Sequence, residues 1–249
     1  MCYPGFDTAD PLTTTESQDW WANSPFYWFG YYLGGCCCTS GAKGWTTSVT
    51  YSDYVGQGWG LRAIYVGHQP TSVTCSSCPS LTTSNASSYG QSDAGNAIKL
   101  AQTAGFPSGA TIFLDVEAGT VSAALSAYVS AWSNAIRSNG TYKPGLYAGP
   151  CTIQALQADL GETFTDYYWM ADWDSRNCTY NSSLCTNDYT NSTSCTAIAF
   201  PSSAPMTVWQ YSGCTTKGCI GCKVTYGTTA LYIDYDNAVD TGSGGSAPS

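Results

Sequence analysis

Charged residues are scarce in this chain of 249 residues, at 10% of the sequence, whereas about a quarter is usual in globular proteins. Eight Lys and Arg residues face 17 Asp and Glu residues, which gives a formal net charge of −9. So few scattered cations cannot form the basic stripe that follows nucleic acid phosphates, nor a patch for anionic lipid. The composition therefore excludes nucleic acid as a partner.

Long hydrophobic runs and histidine are also lacking. No segment approaches the about 20 consecutive apolar residues that span a bilayer, so we expect no membrane insertion. We interpret the single histidine, His68, as a structural residue. Phosphate-binding and dinucleotide-binding loops are absent from the sequence, and Gly56–Gly60 is too irregular for the latter. No cofactor is expected.

Cysteine, in contrast, is abundant, with 13 residues, and this predicts an oxidising compartment and disulfides. Zinc is the alternative, because Cys75–Cys78 and Cys219–Cys222 each have ligand-like spacing. These pairs are far apart in the sequence, and the cysteines of Cys36–Cys38 are consecutive, so we favour disulfides. The odd total leaves at least one thiol free or available for an intermolecular disulfide and self-association.

Five Asn-x-Ser/Thr sequons fit the same compartment: Asn85, Asn139, Asn177, Asn181 and Asn191. Three of them lie in Arg176–Pro205, which is rich in Cys, Ser, Thr and Asn and which we interpret as a disulfide-held insertion. These features predict a secreted, extracellular or cell-surface glycoprotein. Residues 241–249 have the composition of a flexible Gly/Ser linker or tail, so the domain is predicted to comprise residues 1–240.

Short β-like runs alternate with amphipathic segments, which is typical of a mostly parallel α/β fold. The expected class is a (β/α)8-type, TIM-like barrel whose last helices are incomplete or irregular, with a disulfide-rich insertion. Helices are predicted at Thr14–Asn23, Ser48–Gln57, Asp93–Ala104, Val121–Ser138 and Thr152–Leu160. Strands are predicted at Tyr3–Asp7, Trp28–Gly35, Leu61–Gln69, Thr111–Glu117, Pro144–Gly149, Tyr167–Trp173, Thr207–Tyr211 and Leu231–Asp236.

Seven acidic residues lie at or beside the carboxyl-terminal ends of these predicted strands. A barrel gathers those ends on one rim, where active sites are built. Acids that converge there, with few cations to neutralise them, must raise at least one pKa through mutual repulsion. A carboxylic acid that stays protonated beside ionised neighbours is what glycoside hydrolysis requires. The seven are Asp7, Asp115, Glu117, Asp172, Asp174, Asp234 and Asp236.

Asp115 and Glu117 are the strongest catalytic candidates. The strand period of two places both on one face, and two acids within the apolar run Ile112–Glu117 are unfavourable unless they serve a purpose. For Asp174 and Asp234 we favour helix capping or turn formation. Clustered carboxylates also bind Ca²⁺, but the spacing of an EF-hand loop does not occur, and no metal site is expected.

Aromatic residues near the same predicted rim support a sugar site. Flat apolar rings with polar edges suit the faces of pyranose rings, although Trp and Tyr are equally ordinary residues of a barrel core. The predicted substrate-binding set combines these rings with Asp172 and Gln210. Its aromatic members are Tyr147, Trp169, Trp173, Trp209 and Tyr211.

A series of short residue blocks runs from about Gly5 to Val239. The blocks are Tyr3–Asp7, Tyr32–Gly35, Gly105–Pro107, Ile112–Glu117, Pro144–Tyr147, Trp169–Trp173, Trp209–Tyr211 and Ile233–Asp236. In this order they resemble the secreted glycoside-hydrolase-like domain of unknown function number 1906. That group is in turn similar to the family 25 lysozymes, which have a (β/α)-barrel and cleave the glycan of peptidoglycan.

The resemblance implies roles for four acids. It implies Glu117 as the proton donor and Asp115 as its acidic partner, from the Asp-x-Glu strand end of the lysozymes. Their first-strand Asp matches Asp7, and their late-strand Asp matches Asp236 better than Asp234. The chain departs from the pattern in its consecutive cysteines and its Cys-rich insertion, either of which could reshape or cover the cleft.

The sequence therefore predicts a glycosidase that cleaves β-linked amino-sugar glycan, most concretely a peptidoglycan muramidase. Its expected catalytic residues are Glu117, Asp115, Asp7 and Asp236, and its expected partner is a polysaccharide. A weaker option is a hydrolase of another polysaccharide, such as chitin. The alternative of a different class is a non-catalytic glycan-binding or structural surface protein that keeps the glycosidase barrel.

Overall fold

The computed structural model describes residues 2–36, 49–70, 78–117, 120–173, 178–181, 183–186, 189, 195, 198–213, 221–242 and 244–245. Asp174, which we expected to cap a helix or form a turn, lies outside these residues. Among the described helices, every one is too short or too polar to cross a membrane.

Eight strands close into a barrel, in the order β1-β2-β3-β4-β5-β6-β7-β9, with β9 paired back to β1. Strands β1 to β7 are parallel to one another, as predicted. The predicted TIM-like barrel is therefore confirmed. The strands are β1 Tyr3–Asp7, β2 Trp28–Gly34, β3 Gly60–Tyr65, β4 Thr111–Val116, β5 Lys143–Ala148, β6 Tyr167–Ala171, β7 Met206–Ser212, β8 Cys222–Tyr226 and β9 Thr229–Ala238.

The closing strand runs in the opposite direction to the others. A hairpin joins β8 to β9, and β9 is antiparallel to both β7 and β1. The expectation that Asp234 and Asp236 lie at the carboxyl end of a parallel strand was therefore wrong, as was the turn or cap expected at Asp234. Both residues lie within β9, because the hairpin reverses the chain, and side-chain periodicity does not report strand direction.

Strand β3 ends earlier than predicted, at Tyr65 instead of Gln69. The backbone N–H of His68 donates to the side chains of Asp93 and Tyr128, each at 3.1 Å, instead of to a neighbouring strand. The His68 ring also contacts Asp93, with Nδ1 2.8 Å from Oδ2, in agreement with a structural role for this histidine.

Among the described residues, five helices surround the sheet near their predicted positions, except that the third begins at Ala86 instead of Asp93. They are α1 Thr14–Asn23, α2 Tyr51–Gln57, α3 Ala86–Ala104, α4 Ala123–Asn139 and α5 Pro150–Leu160. Helix α4 begins where the Ser122 side chain accepts from the N–H of Leu125, and it ends at Gly140, whose φ of 75° is left-handed. The described residues between β6 and β9 contain no α-helix, as expected for irregular last helices.

Disulfides fasten the predicted insertion to the barrel. Its cysteines pair as Cys2–Cys185, Cys151–Cys195 and Cys178–Cys222, and a further bond joins Cys36 to Cys78. The predicted disulfides are thus confirmed. The zinc alternative was wrong for Cys78 and Cys222, because both are oxidised. The other five cysteines lie outside the described residues, and so does the predicted spare thiol.

Aromatic rings fill the middle of the barrel. Trp169 is fully buried there and packs edge-on against Trp28, Phe113 and Tyr147, with ring centroids 5.2 to 5.5 Å apart. Gly5 makes room for this layer, because a Cβ at that position would lie 2.1 Å from the Trp28 ring. The interior is therefore a packed core. The carboxyl-terminal ends of the parallel strands lie above this core and form the open rim of the barrel.

Substituting Gly5→Ala is expected to destabilise the protein by about 1–3 kcal/mol, because the Trp28 ring must move within a packed core. Urea unfolding of the oxidised protein, followed by tryptophan fluorescence, measures the change. Gly56→Ala is the matched control, since a Cβ at Gly56 meets no atom within 4 Å and helix α2 favours alanine. Equal stability of both variants would contradict this account of the barrel interior.

Candidate active site

Polar side chains from several strands meet inside the barrel near the carboxyl ends of β1 to β7. Sheet register places Asp115 beside Tyr147 and Asp7 beside Asp234, and paired residues of a sheet point to the same face. The Nε2 of Gln210 links these strands, because it lies 2.6 Å from Asp7 Oδ2 and 2.8 Å from the Tyr147 hydroxyl. The barrel thus brings together residues that are far apart in the sequence.

Asp7 is held by hydrogen bonds to both of its carboxyl oxygens. Oδ2 accepts from Gln210, and Oδ1 accepts from the Tyr32 hydroxyl at 3.1 Å. Burial raises the pKa of Asp7 from its ordinary 3.8 to about 6, although these hydrogen bonds favour the ionised form, and the charge of Glu117 adds to the rise. Asp7 is therefore a fixed carboxylate that becomes fully ionised only above mildly acidic pH.

Asp236 lies beneath Asp7 and is completely buried. Its Oδ1 accepts from Trp169 Nε1 at 2.9 Å, and its carboxyl group interacts electrostatically with that of Asp7. Burial, followed by the negative charges of Asp7 and Asp234, raises the pKa of Asp236 well above its usual range. Because burial and mutual repulsion disfavour two charges here, the pair as a whole holds a proton to higher pH than isolated carboxyl groups do.

Asp115 and Glu117 occupy the end of β4, as the sequence predicted. Asp115 is 3% exposed, and among the described residues no donor reaches its Oδ1. Burial first, then the charges of Glu117 and Asp7, raise its pKa well above the usual range. Glu117 is open to solvent at the rim, yet surrounding protein atoms desolvate its carboxyl group enough to raise its pKa.

Gln69 positions the end of β4, and the sequence analysis did not identify it. Its Nε2 donates to the carbonyl oxygen of Asp115 at 2.7 Å, and its Oε1 accepts from the N–H of Glu117 at 3.0 Å. Tyr32 was also missed as a site residue, although the block Tyr32–Gly35 was noticed. Its position at the end of β2 was the available signal. Gln69 offered the same signal as the last residue of the predicted strand Leu61–Gln69, although in the structure it follows β3.

Three members of the predicted substrate-binding aromatic set lie near the acids. The Nε1 of Trp173 donates to Gln210 Oε1 at 2.6 Å, and this ring is 36% exposed at the rim. Tyr147 lies near the acids, because Gln210 links its hydroxyl group to Asp7. Trp169 lies below them as the buried floor, so its ring contacts Asp236 instead of open solvent. Trp173 is therefore the predicted Trp that is placed to meet a ligand.

Asp172, Trp209 and Tyr211 do not join this group. Strand alternation turns Gln210 inward and its two neighbours outward, where both rings are buried. Trp209 Nε1 donates to the carbonyl oxygen of Asp172 at 3.0 Å, and the Asp172 carboxylate accepts from the Tyr189 hydroxyl of the insertion. These residues fasten the insertion to the barrel.

Among the described residues, one cluster has the spacing of metal ligands. It consists of Cys36, His68 and Cys78, with the Cys36 sulfur 3.3 Å from His68 Nδ1. Both sulfurs belong to the same disulfide, so the cluster offers no thiolate to a metal.

The buried carboxyl groups make stability depend on pH. Because the pKa of Asp7 is raised, the folded state holds its proton more tightly than the unfolded chain. This stabilisation is complete below about pH 4 and is lost as the pH rises through about 6. We therefore expect the melting temperature, measured by circular dichroism, to fall between about pH 4.5 and 7.5.

Asp236→Asn is expected to flatten this dependence, because it removes one carboxyl group from the coupled pair. Asp10→Asn, at an exposed position, serves as the control and is expected to keep the slope of the unmodified protein. A melting temperature that rises with pH over the same range would contradict the buried pair.

The fold is shared with bacterial proteins at low sequence identity. Protein Rv2525c of Mycobacterium tuberculosis, described as Tat-secreted and crystallised with L-tartrate, is 15% identical, with 96% of each chain covered and a TM-score of 0.61. The bacterial lysozyme of Streptomyces coelicolor is 13% identical, with 96% of this chain and 92% of that chain covered and a TM-score of 0.52.

A third similar structure is the modular autolysin LytC of Streptococcus pneumoniae, solved with a synthetic peptidoglycan ligand. It is 10% identical, with 95% of this chain and 46% of that chain covered and a TM-score of 0.54. No curated protein matches the chain significantly. The family model for the Rv2525c-like, glycoside hydrolase-like domain matches residues 18–237. This match spans most of the sequence, and the chain therefore belongs to the Rv2525c-like family of glycoside hydrolase-like domains.

Proposed function

We propose that this protein is a glycoside hydrolase that cleaves β-linked amino-sugar glycan, most concretely a muramidase acting on peptidoglycan. The observation that carries the proposal is the placement of Glu117 at the open rim, above the buried carboxyl groups of Asp115, Asp7 and Asp236. An accessible acid with a raised pKa beside other carboxyl groups is the arrangement that glycosidic cleavage uses.

In this proposal Glu117 protonates the glycosidic oxygen as the bond to the leaving sugar breaks. Desolvation raises the pKa of Glu117, so a larger fraction keeps its proton at mildly acidic pH. The ionised Glu117 then takes a proton from the water that attacks the sugar carbon, which returns the acid to its starting state. Gln69 supports both steps by holding the backbone on either side of Val116, directly before Glu117.

The remaining acids divide into two roles in the same proposal. Asp7, fixed by Tyr32 and Gln210, supplies negative charge that stabilises the oxocarbenium-like centre. Asp115, whose pKa is raised strongly, keeps a proton and so limits the repulsion beneath Glu117. Its hydroxyl is then a donor for a carbonyl oxygen of the substrate, such as that of an N-acetyl group. Asp236 supports Asp7 through the proton that the pair holds.

Glycan binding without turnover is the second candidate function. One observation favours it: Asp7 already uses both oxygens within the protein, and its partner Asp236 is fully buried. A barrel with this interior would keep its shape even if the rim only bound a sugar chain. Trp173, exposed beside Gln210, would then provide the ring that contacts it.

We further propose that the protein acts outside the cytoplasm. Four disulfides among the described residues support this location, since such bonds persist in oxidising compartments. The Tat-secreted relative Rv2525c supports it as well. Peptidoglycan or a related amino-sugar polymer is the proposed partner, and the sequons are proposed sites of glycosylation.

Glu117→Gln is expected to lower the release of sugar fragments from peptidoglycan by at least about a hundredfold, because it removes the proton donor. The oxidised protein is incubated with purified peptidoglycan at mildly acidic pH, and new reducing ends are identified by mass spectrometry. Glu162→Gln removes the same charge from an exposed loop and is expected to keep full activity.

Fragments released equally by the unmodified protein and by Glu117→Gln would exclude this role for Glu117. Binding of peptidoglycan in a sedimentation assay, without fragments at any pH, would favour the second candidate function. Circular dichroism of each variant shows whether a loss of activity reflects a loss of fold.

A further inference from the structure

A cavity of about 260 Å³ lies at the amino-terminal end of the barrel, opposite the acids. Its wall is formed where β3 to β7 begin, and Phe113 closes it from above. The polar side chains that line it are Arg62, Thr111, Lys143, Tyr167, Thr207 and Asp240. Nothing in the proposed glycosidase mechanism uses these residues.

Arg62 carries a buried donor that has no acceptor. Its side chain is 8% exposed, and its Nη2 donates to the carbonyl oxygen of Asp240 at 2.8 Å and to the Asp240 carboxylate. The guanidinium also lies over the Trp28 ring, 4.8 Å from the centroid. Among the described residues, no acceptor reaches its Nε. A buried N–H without an acceptor is unfavourable. A ligand that supplies an acceptor to this group would therefore gain binding free energy.

Positive charge is concentrated at this cavity in an otherwise acidic protein. Arg62 and Lys143 are two of only eight cations in a chain of net charge −9. They share the cavity with one carboxylate, that of Asp240, which leaves a positive balance. Lys143 lies at the exposed mouth, with its Nζ 3.1 Å from the Tyr167 hydroxyl. Burial lowers the pKa of Arg62, and Asp240 offsets only part of that shift.

We propose that this cavity binds a small oxyanion, either phosphate or the carboxylate of a small organic acid, between Arg62 and Lys143. The planar guanidinium offers Nε–H to one oxygen, and Lys143 pairs with another at the mouth. Thr111 and Thr207 add hydroxyl donors in the wall. The cavity is slightly smaller than the roughly 300–1,000 Å³ of sites for drug-sized ligands, which fits a small ligand.

This anion site is spatially separate from the acid cluster, although the charge of Asp236 still raises the pKa of Arg62. Phe113, its roof, packs against Trp169 with ring centroids 5.4 Å apart, and Trp169 in turn contacts Asp236. A layer of aromatic rings therefore separates the two ends of the barrel. Anion binding at one end and glycan cleavage at the other are separate properties, and either can fail without the other.

Nitrogen-15 NMR of the folded, oxidised chain tests the proposal directly. The chain has three arginines, Arg62, Arg137 and Arg176, so their Nε–H signals are few and can be assigned. Inorganic phosphate and succinate are titrated separately at constant ionic strength. We expect a saturable shift of the Arg62 Nε–H signal, with that of Arg137 unchanged. The stronger of the two titrations distinguishes a phosphate from a carboxylate ligand.

Lys143→Gln is expected to weaken this binding by about tenfold through the loss of one charge-assisted contact. Lys223→Gln removes the same charge from the exposed β8 hairpin and is expected to leave the affinity unchanged. The proposal is overturned if neither anion shifts the Arg62 signal. It is also overturned if the two variants weaken binding equally, since binding would then follow net charge alone.

Discussion

Several carboxyl groups are buried inside a closed barrel, and they cannot all be ionised. Asp7, Asp115 and Asp236 are each less than 5% exposed, and in the part of the chain that the structure describes no Lys or Arg donates a hydrogen bond to them. Retained protons and neutral donors therefore replace the missing cations, which is why Tyr32, Gln210 and Trp169 surround these acids. This constraint raises the pKa values of the buried acids and makes the stability of the fold depend on pH. It also favours a protonated carboxyl group at the rim.

The antiparallel closing strand is what allows this arrangement. In a barrel made only of parallel strands, the carboxyl end of the last strand would lie at the rim beside the others. Here β9 passes the rim from the opposite direction, so Asp234 pairs with Asp7 while Asp236 reaches one layer deeper, opposite Gly5. The deeper carboxyl group and that of Asp7 hold a proton as a pair, while Asp236 also contacts the indole of Trp169. Strand direction thus determines that Asp236 is fully buried in the deeper layer and that Asp234 is half-buried at the rim.

The aromatic layer gives the barrel two chemically different ends. Above Trp169 lie acids and their donors, and below Phe113 lie Arg62 and Lys143. The two ends still influence each other, because the negative charge of Asp236 raises the pKa of Arg62. The rings and the distance they impose allow both kinds of charge to exist within one small fold. The disulfide-held insertion completes the outer wall, where Asp172 and Trp209 meet Tyr189.

The sequence alone determined the barrel, most element boundaries, the oxidised cysteines and the placement of Asp115 and Glu117 together, because periodicity and composition are local properties. The tertiary structure decided what depends on contacts between distant residues. It determined that β9 is antiparallel to its neighbours and that Asp172, Trp209 and Tyr211 lie in the outer wall. It also determined that Gln69 binds the backbone N–H of Glu117. The alternation of side chains along a strand predicts that Trp209 and Gln210 face opposite sides of the sheet. Only the closure of the barrel decides which of these sides is inside.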